Sequence, residues 1–372
     1  MKIIHSVLGK ANPERMNGVN KVAHNLATTQ TNLGYDVTVW GITHSLEENY
    51  PTRNYKTTLF QAIPSKINIH ESIRNAIAKL SKDTVFHIHG SFIKEFAHIA
   101  KLLTKYNIPY VYTSHGSLGP IAMQQNAFIK KYYFFFIEKY ILQNAKMVHL
   151  LGKSEVENVK RLMPKTNNTV MIPNGQDLSQ IPTVSIDKSQ RKNPIFGFLG
   201  RLDKNHKGLD LLLDGFAGYM KNGGTGTLEL VGNGEDMDFL KNQAARLNIS
   251  SRLTFHGAKF GDEKFEYLAN FDIFVHTSRM EGFPTAVLEA AALGLPCLCS
   301  EATNANDYLR EWDAGYCYKE NKSENITHQL QLAERDFNDK SISRKGRNAR
   351  KMIESAFTWE VISEALINVY KK

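Results

Sequence analysis

The chain has 372 residues, 42% hydrophobic and 22% charged, enough apolar material for two ordinary domains and too much for a disordered protein. A net charge of +9 favours an anionic partner: nucleic acid, an acidic lipid surface or a phosphorylated substrate. The three cysteines, Cys297, Cys299 and Cys317, form no C-x-x-C pair, which argues for reduced, buried thiols in a cytoplasmic protein rather than disulfides or a metal site.

The opening MKIIHSVLG lacks the apolar core and cleavage site of a secretory leader and reads as a first strand. Short β-type runs at 2–7, 36–40, 84–89, 110–114 and 146–151 alternate with helical patterns at 19–33, 69–80, 92–106, 127–142 and 154–162. This alternation predicts a parallel sheet covered on both faces. Residues 173–194 are polar and proline-punctuated, a predicted linker or covering loop. The pattern restarts at 195–199, 209–221, 227–231, 236–247, 253–256, 264–268, 273–276, 286–293 and 296–299, and an amphipathic helix at 359–370 closes the chain. No run nears the ~18 uncharged apolar residues of a spanning helix, so the protein is expected to be soluble or at most peripheral to a membrane. Two doubly wound α/β domains facing one cleft are expected, with ligands at the carboxyl ends of the strands.

The segment GRLDKNHKG at 200–208 sets Arg201 and Lys207 on a loop flanked by Gly200 and Gly208, just after a predicted strand. The segment reads either as a solvated loop with routine cations or as fixed cations that stabilise a departing nucleoside diphosphate. In EGFPTAVLE at 281–289, Glu281 and Glu289 bracket a turn entering a helix. Gly282 allows close backbone approach, Pro284 suits a first helical turn, and the turn residues Phe283 and Thr285 lie between the two acids. The apolar run around Glu289 makes an unpaired carboxylate costly, which points to a ligand hydroxyl such as a ribose.

His115 follows a predicted strand in TSHGS, where it reads either as a structural strand-end histidine or as one that hydrogen-bonds a sugar hydroxyl or turns its carbonyl to a developing oxocarbenium ion. His87 and His89 imitate a metal pair, but their strand shows no carboxylate or third ligand, so they read as core or cleft-lining residues. Gly18, at a helix entrance, would let the backbone approach a phosphate. GNGED at 232–236 is not a full dinucleotide fingerprint, and Asp236 in D-M-D reads as a helix cap rather than a metal ligand.

Together these motifs resemble the retaining family-4 glycosyltransferases of the GT-B fold (glycosyltransferase group 1), over the whole length of the chain. The resemblance implies that Arg201 and Lys207 bind the donor diphosphate and that Glu281 and Glu289 form the family's E-x7-E element. It assigns His115 to the sugar, IPNG at 172–175 to the interdomain junction, and FTWE at 357–360 to the start of a helix returning to the first domain. The implied domains are 1–175 with 358–372 on the acceptor side, and 176–357 for the nucleotide-sugar. One departure is Asn17-Gly18, where many members carry two glycines. The implied reaction is sugar transfer with retention, without a required cofactor or metal, from a UDP-sugar first and GDP-mannose second.

FIKKYYFFFIEKYIL at 128–142 mixes Lys130, Lys131 and Lys139 with aromatics, which suits either a membrane interface or a core helix with lysines outside. The acceptor is expected to be a saccharide, lipid-linked through polyprenyl diphosphate, in surface-polysaccharide assembly. No basic-aromatic strand pattern marks a nucleic-acid platform. The alternatives are another sugar enzyme of this fold, an epimerase or phosphorylase, or a non-catalytic protein of membrane surfaces.

Overall fold

The computed structural model describes residues 1–13, 18–63, 68–120, 122–124, 126–184 and 186–372; Asn17, and Ser185 of the predicted linker, lie outside them. The chain divides into two units, Met1–Gly175 with Trp359–Lys372, and Gln176–Thr358.

The first unit holds β1 (Lys2–Leu8), β2 (Asp36–Thr43), β3 (Lys56–Gln61), β4 (Thr84–His89), β5 (Tyr110–Thr113), β6 (Met147–Leu150) and β7 (Thr169–Met171). They form one parallel sheet in the order β3-β2-β1-β4-β5-β6-β7. Alternation sends Val85 and Val111 to one face, where they meet Leu26 of the helix Gly18–Asn32 and Leu366 of the helix Trp359–Lys371. Phe86, Tyr110 and Tyr112 go to the other face, against Phe96 and Phe134. Each fully buried side chain of this size contributes roughly 1.5–3 kcal/mol by leaving water.

The sequence pattern did not reveal β3 and β7, which lie at the sheet's two edges. In β3, KTTLFQ, only Phe60 is buried, so a half-solvated strand offers no apolar run to read. The helix predicted over 127–142 is interrupted. It runs as Ala127–Tyr133, a π-helical turn Phe134–Glu138, and Lys139–Asn144. Glu138 is buried there, and its carboxylate accepts from the Tyr112 hydroxyl and from the Phe92 N–H at 3.2 Å.

The second unit repeats the plan with β8 (Ile195–Leu199), β9 (Thr227–Val231), β10 (Leu253–Gly257), β11 (Ile273–His276), β12 (Cys297–Ser300) and β13 (Gly315–Tyr318). Its parallel order is β10-β9-β8-β11-β12-β13, around a core that includes Phe196, Phe198, Phe216 and Leu230. The thiols are free: Cys297 and Cys299 are buried on β12, and Cys317 sits opposite Cys299 on β13. In both sheets the strand order reverses beside the first strand, between β1 and β4 and between β8 and β11. Such switch points open a crevice at the carboxyl ends, where ligands bind in open α/β sheets.

Candidate functional site

The loop after β8 and the loop after β11 meet at the second unit's switch point. Asp203 accepts from the N–H groups of Asn205 and His206, both at 2.9 Å, and so starts the short helix Lys204–Lys207. Gly208 ends it with φ +63°, and a Cβ there would stand 2.4 Å from the Thr277 carbonyl oxygen. The Thr277 hydroxyl donates to the carbonyls of Lys207 at 3.1 Å and Gly208 at 3.2 Å. Arg279 adds a two-pronged contact to Asp210, at 2.6 and 2.8 Å, and its backbone N–H donates to His206 at 2.8 Å. Lys207 is therefore carried on a backbone locked to β11.

This places the Lys207 ammonium against the carboxylate of Glu281. Ser278 Oγ and the Nε2 of buried His276 reach the same oxygen, Oε1, each at 3.1 Å. Oε2 has no partner among the described residues. Burial works against the charge on Glu281, but the His276 hydrogen bond and the Lys207 ammonium outweigh it and hold the carboxyl down to about 2. Burial keeps the His276 ring below its ordinary value, and its buried Nδ1 has no partner among the described residues, so the ring is neutral with its proton on Nε2. Glu281 is thus an ionised, oriented carboxylate.

Pro284 stands one position before the helix Thr285–Ala292, at the N-cap rather than in the first turn. Phe283 is buried against Tyr308 and Phe357, with ring centroids 6.0 and 5.3 Å away, and anchors the turn. Asn304 fixes the turn's backbone from β12's end, donating to the carbonyls of Glu281 at 2.8 Å and Gly282 at 2.9 Å. Glu289 has a partner within the protein. It is half-buried and accepts from Lys264 at 2.9 Å, so its cost is already offset within the protein.

Arg201 follows Gly200 at the end of β8, but its side chain is 65% exposed and 3.2 Å from Asp203. It is not drawn into the Lys207–Glu281 cluster. The glycines of GNGED have a packing role: a Cβ on Gly232 would fall 1.8 Å from the Gly200 carbonyl oxygen, and one on Gly234 2.1 Å from that of Leu202. Asp236 does not cap its own helix. Its carboxylate accepts from Lys204 N at 2.9 Å and lies 3.5 Å from Lys204 Nζ, so it holds the neighbouring short helix instead.

In the first unit, Gly18 opens the helix Gly18–Asn32, and no atom of the described residues lies within 4 Å of a Cβ placed on it. His115 leaves β5 with φ +53°, followed by Gly116 at +84°, a left-handed pair that turns the chain off the strand. Its ring hydrogen-bonds His89 at 3.0 Å. The expectation that His87 and His89 lack a third imidazole is corrected by the sheet: His5 on β1 lies beside them, with ring nitrogens of all three within 4.8 Å of one another. Both nitrogens of each ring already have hydrogen-bond partners in the protein.

Sequence reasoning missed His276, Ser278, Arg279 and Asp210, the residues that orient Lys207 and Glu281. The arginine at 279 and the acid at 210 are each unremarkable in sequence; only the β8–β11 adjacency joins them.

Two family models together span most of the chain: Glycosyltransferase Family 4 over residues 16–180, and Glycosyl transferases group 1 over residues 184–352. An uncharacterized glycosyltransferase of Haemophilus influenzae is 25% identical over 323 residues, 85% of this chain and 86% of that protein. The UDP-Gal:alpha-D-GlcNAc-diphosphoundecaprenol alpha-1,3-galactosyltransferase of Escherichia coli is 26% identical over 324 residues, 82% of this chain and 79% of its own. Among solved structures, Anabaena HepE in complex with UDP superposes with a TM-score of 0.74 at 18% identity, covering 100% of both chains. The chain belongs to the family-4, group 1 glycosyltransferases, and its fold is GT-B. It is a glycosyltransferase.

Proposed function

We propose that this enzyme transfers a hexose or N-acetylhexosamine from a nucleotide-sugar, with retention and without a required metal, to a saccharide acceptor. The observation that carries the reading is the Lys207–Glu281 pair at the switch point. A donor diphosphate entering the loop after β8 would take Lys207 from Glu281, with the exposed Arg201 as the second cation. The released carboxylate, still held by His276 and Ser278, would then accept a sugar hydroxyl. Glu289 would serve the ribose by exchanging Lys264 for its hydroxyls, with the backbone of Gly200, Gly282, Phe283, Pro284 and Thr285 lining the donor. His115 is assigned to the sugar and Gly18 to a phosphate.

In this reading the bond from the anomeric carbon to the leaving phosphate breaks, and the acceptor oxygen bonds the same face. The acceptor's hydroxyl proton passes to the departing phosphate. Cationic stabilisation of that phosphate does the work a metal does elsewhere. A UDP-sugar ranks first as donor, supported by the UDP-galactose named for the Escherichia coli relative, and GDP-mannose second. That relative's name supports a polyprenyl-diphosphate-linked acceptor in surface-polysaccharide assembly. The test is a panel of nucleotide-sugars, with chelator present, scored for donor hydrolysis and, once an acceptor is found, for product anomer. A product with inverted configuration, or activity abolished by chelator, contradicts the reading.

A lipid-linked acceptor also suits the helical segment after Asn126. Phe128 is 92% exposed and Phe136 70%, with Ile129, Tyr132 and Phe135 exposed beside them and Lys131 outward. The segment also has a core face: Phe134, Ile141 and Leu142 are buried in the unit's core and Ile137 packs against it. We assign the exposed ridge to an anionic membrane surface on the cytoplasmic side, with the protein peripheral. No helix of the described residues is long and apolar enough to cross a membrane.

A further inference from the structure

A chain of buried hydrogen bonds runs through the first unit and ends at His115. At one end the His149 Nε2 lies 2.7 Å from the Ile172 carbonyl oxygen. A carbonyl only accepts, so this nitrogen carries the proton and His149 Nδ1, in a neutral ring, must accept. Its partner at 2.8 Å is the Thr113 hydroxyl, which therefore donates to it and accepts from His87 Nε2 at 2.6 Å. His87 Nδ1 is then the acceptor for the Tyr370 hydroxyl, at 2.6 Å. Tyr370, having donated, accepts from the amide nitrogen of Gln30 at 3.4 Å, which turns Gln30 Oε1 towards His5 Nε2 at 2.8 Å.

The same logic continues outward. His5 Nε2 donates to Gln30, so His5 Nδ1 accepts from His89 Nε2 at 2.8 Å. His89 Nδ1 in turn accepts from His115 Nε2 at 3.0 Å. Every member before His115 is at most 2% exposed, and Ile172 7%. The four inner imidazoles and His115 are all held below the ordinary histidine value, by burial first, so they are neutral near pH 7. One-directional polarity is the arrangement in which no buried donor faces a donor.

We propose that this relay fixes the tautomer of His115, with the proton on Nε2 and Nδ1 left as a hydrogen-bond acceptor for a donor hydroxyl. Nδ1 has no partner among the described residues, and the half-buried ring is held on a left-handed backbone. His5, His89, Gln30, Tyr370, His87, Thr113 and His149 are positioning residues acting through one another. The hydroxyl is taken to be the sugar's, which rests on the role proposed for His115 above. The tautomer itself is read without substrate, so the two claims fail separately.

The experiment is long-range 1H–15N correlation on the intact protein labelled at histidine ring nitrogens, with His115 assigned by its loss in His115→Ala. The expected wild-type pattern is a protonated Nε2 and a bare Nδ1 at pH 7. Tyr370→Phe should remove the link between the two halves, convert the His115 signal to mixed tautomers, and lower kcat/KM several-fold while the thermal midpoint shows that the variant is folded. An Nδ1-protonated or imidazolium His115 in the wild type overturns the proposal. So does an unchanged tautomer in a folded Tyr370→Phe variant. A changed tautomer with an unchanged rate keeps the relay and removes His115 from the sugar.

Discussion

Lys207 donates to the carboxylate of Glu281, 74 residues further along the chain, and both are held by neighbours that cannot follow them elsewhere. Gly208 fixes the lysine's backbone against Thr277, and His276 fixes the acid. In the proposed function the pair would act as an exchange: a phosphate would take the cation and free the carboxylate.

Lys207→Ala is expected to lower kcat/KM by about 10²–10³, the cost of losing one fixed stabiliser of developing charge. Arg201→Ala should fall in the same direction, whereas Asp238→Ala, an exposed helix residue, should leave the rate near wild type. Steady-state kinetics with a thermal midpoint for each variant checks this. Lys207→Ala should also raise the Glu281 pKa from about 2, because its cation is gone. Carboxyl 13C titration would read that shift.

Gly208→Ala and Gly18→Ala separate fold from ligand approach. The first puts a Cβ into the Thr277 carbonyl on a left-handed backbone, costing at least ~1 kcal/mol from the backbone alone. Gly18→Ala meets no atom of the described residues within 4 Å, so its thermal midpoint should hold. A loss of donor affinity in that variant would locate the phosphate at the helix entrance, and an unchanged affinity would remove Gly18 from the site.

Glu138 should make stability depend on pH. Burial raises its carboxyl from 4.5 to about 7, against the opposing hydrogen bonds of Tyr112 and Phe92. The folded state therefore favours the protonated acid. Its stabilising contribution is full below pH 4.5 and is lost as pH rises through about 7, by an amount on the order of 3 kcal/mol. Denaturant midpoints from pH 4.5 to 8 should fall less steeply in Glu138→Gln than in the wild type.

The strand-by-strand plan was legible because central strands are buried on both faces: 84–89, 195–199 and 273–276 were read with their observed ends. The edge strand β3 was not, because only Phe60 of its six residues is buried. The candidate site's local layout was legible where residues sit close in sequence, as in Glu281 with Gly282 and Phe283. It was illegible where parallel pairing joins distant segments. Asp236 looked like its own helix's cap because nothing local shows Lys204 beside it. The same holds for His5, which the β1–β4 pairing sets directly opposite His87.

The exposed aromatic ridge gives a membrane prediction. The protein should sediment with anionic vesicles at low salt and release as salt rises, since lysine attraction is screened. Phe128→Ser with Phe136→Ser should weaken binding without moving the thermal midpoint, both side chains being exposed. Equal binding by that double variant would place any membrane contact elsewhere.

A nucleoside diphosphate is expected to displace Glu281 from Lys207. A crystal structure of the enzyme with UDP or GDP tests it most directly. The account predicts a phosphate oxygen about 2.7–3.2 Å from Lys207 Nζ and the Glu281 contact opened. Phosphates bound away from residues 200–208, with Lys207 still on Glu281, would contradict it.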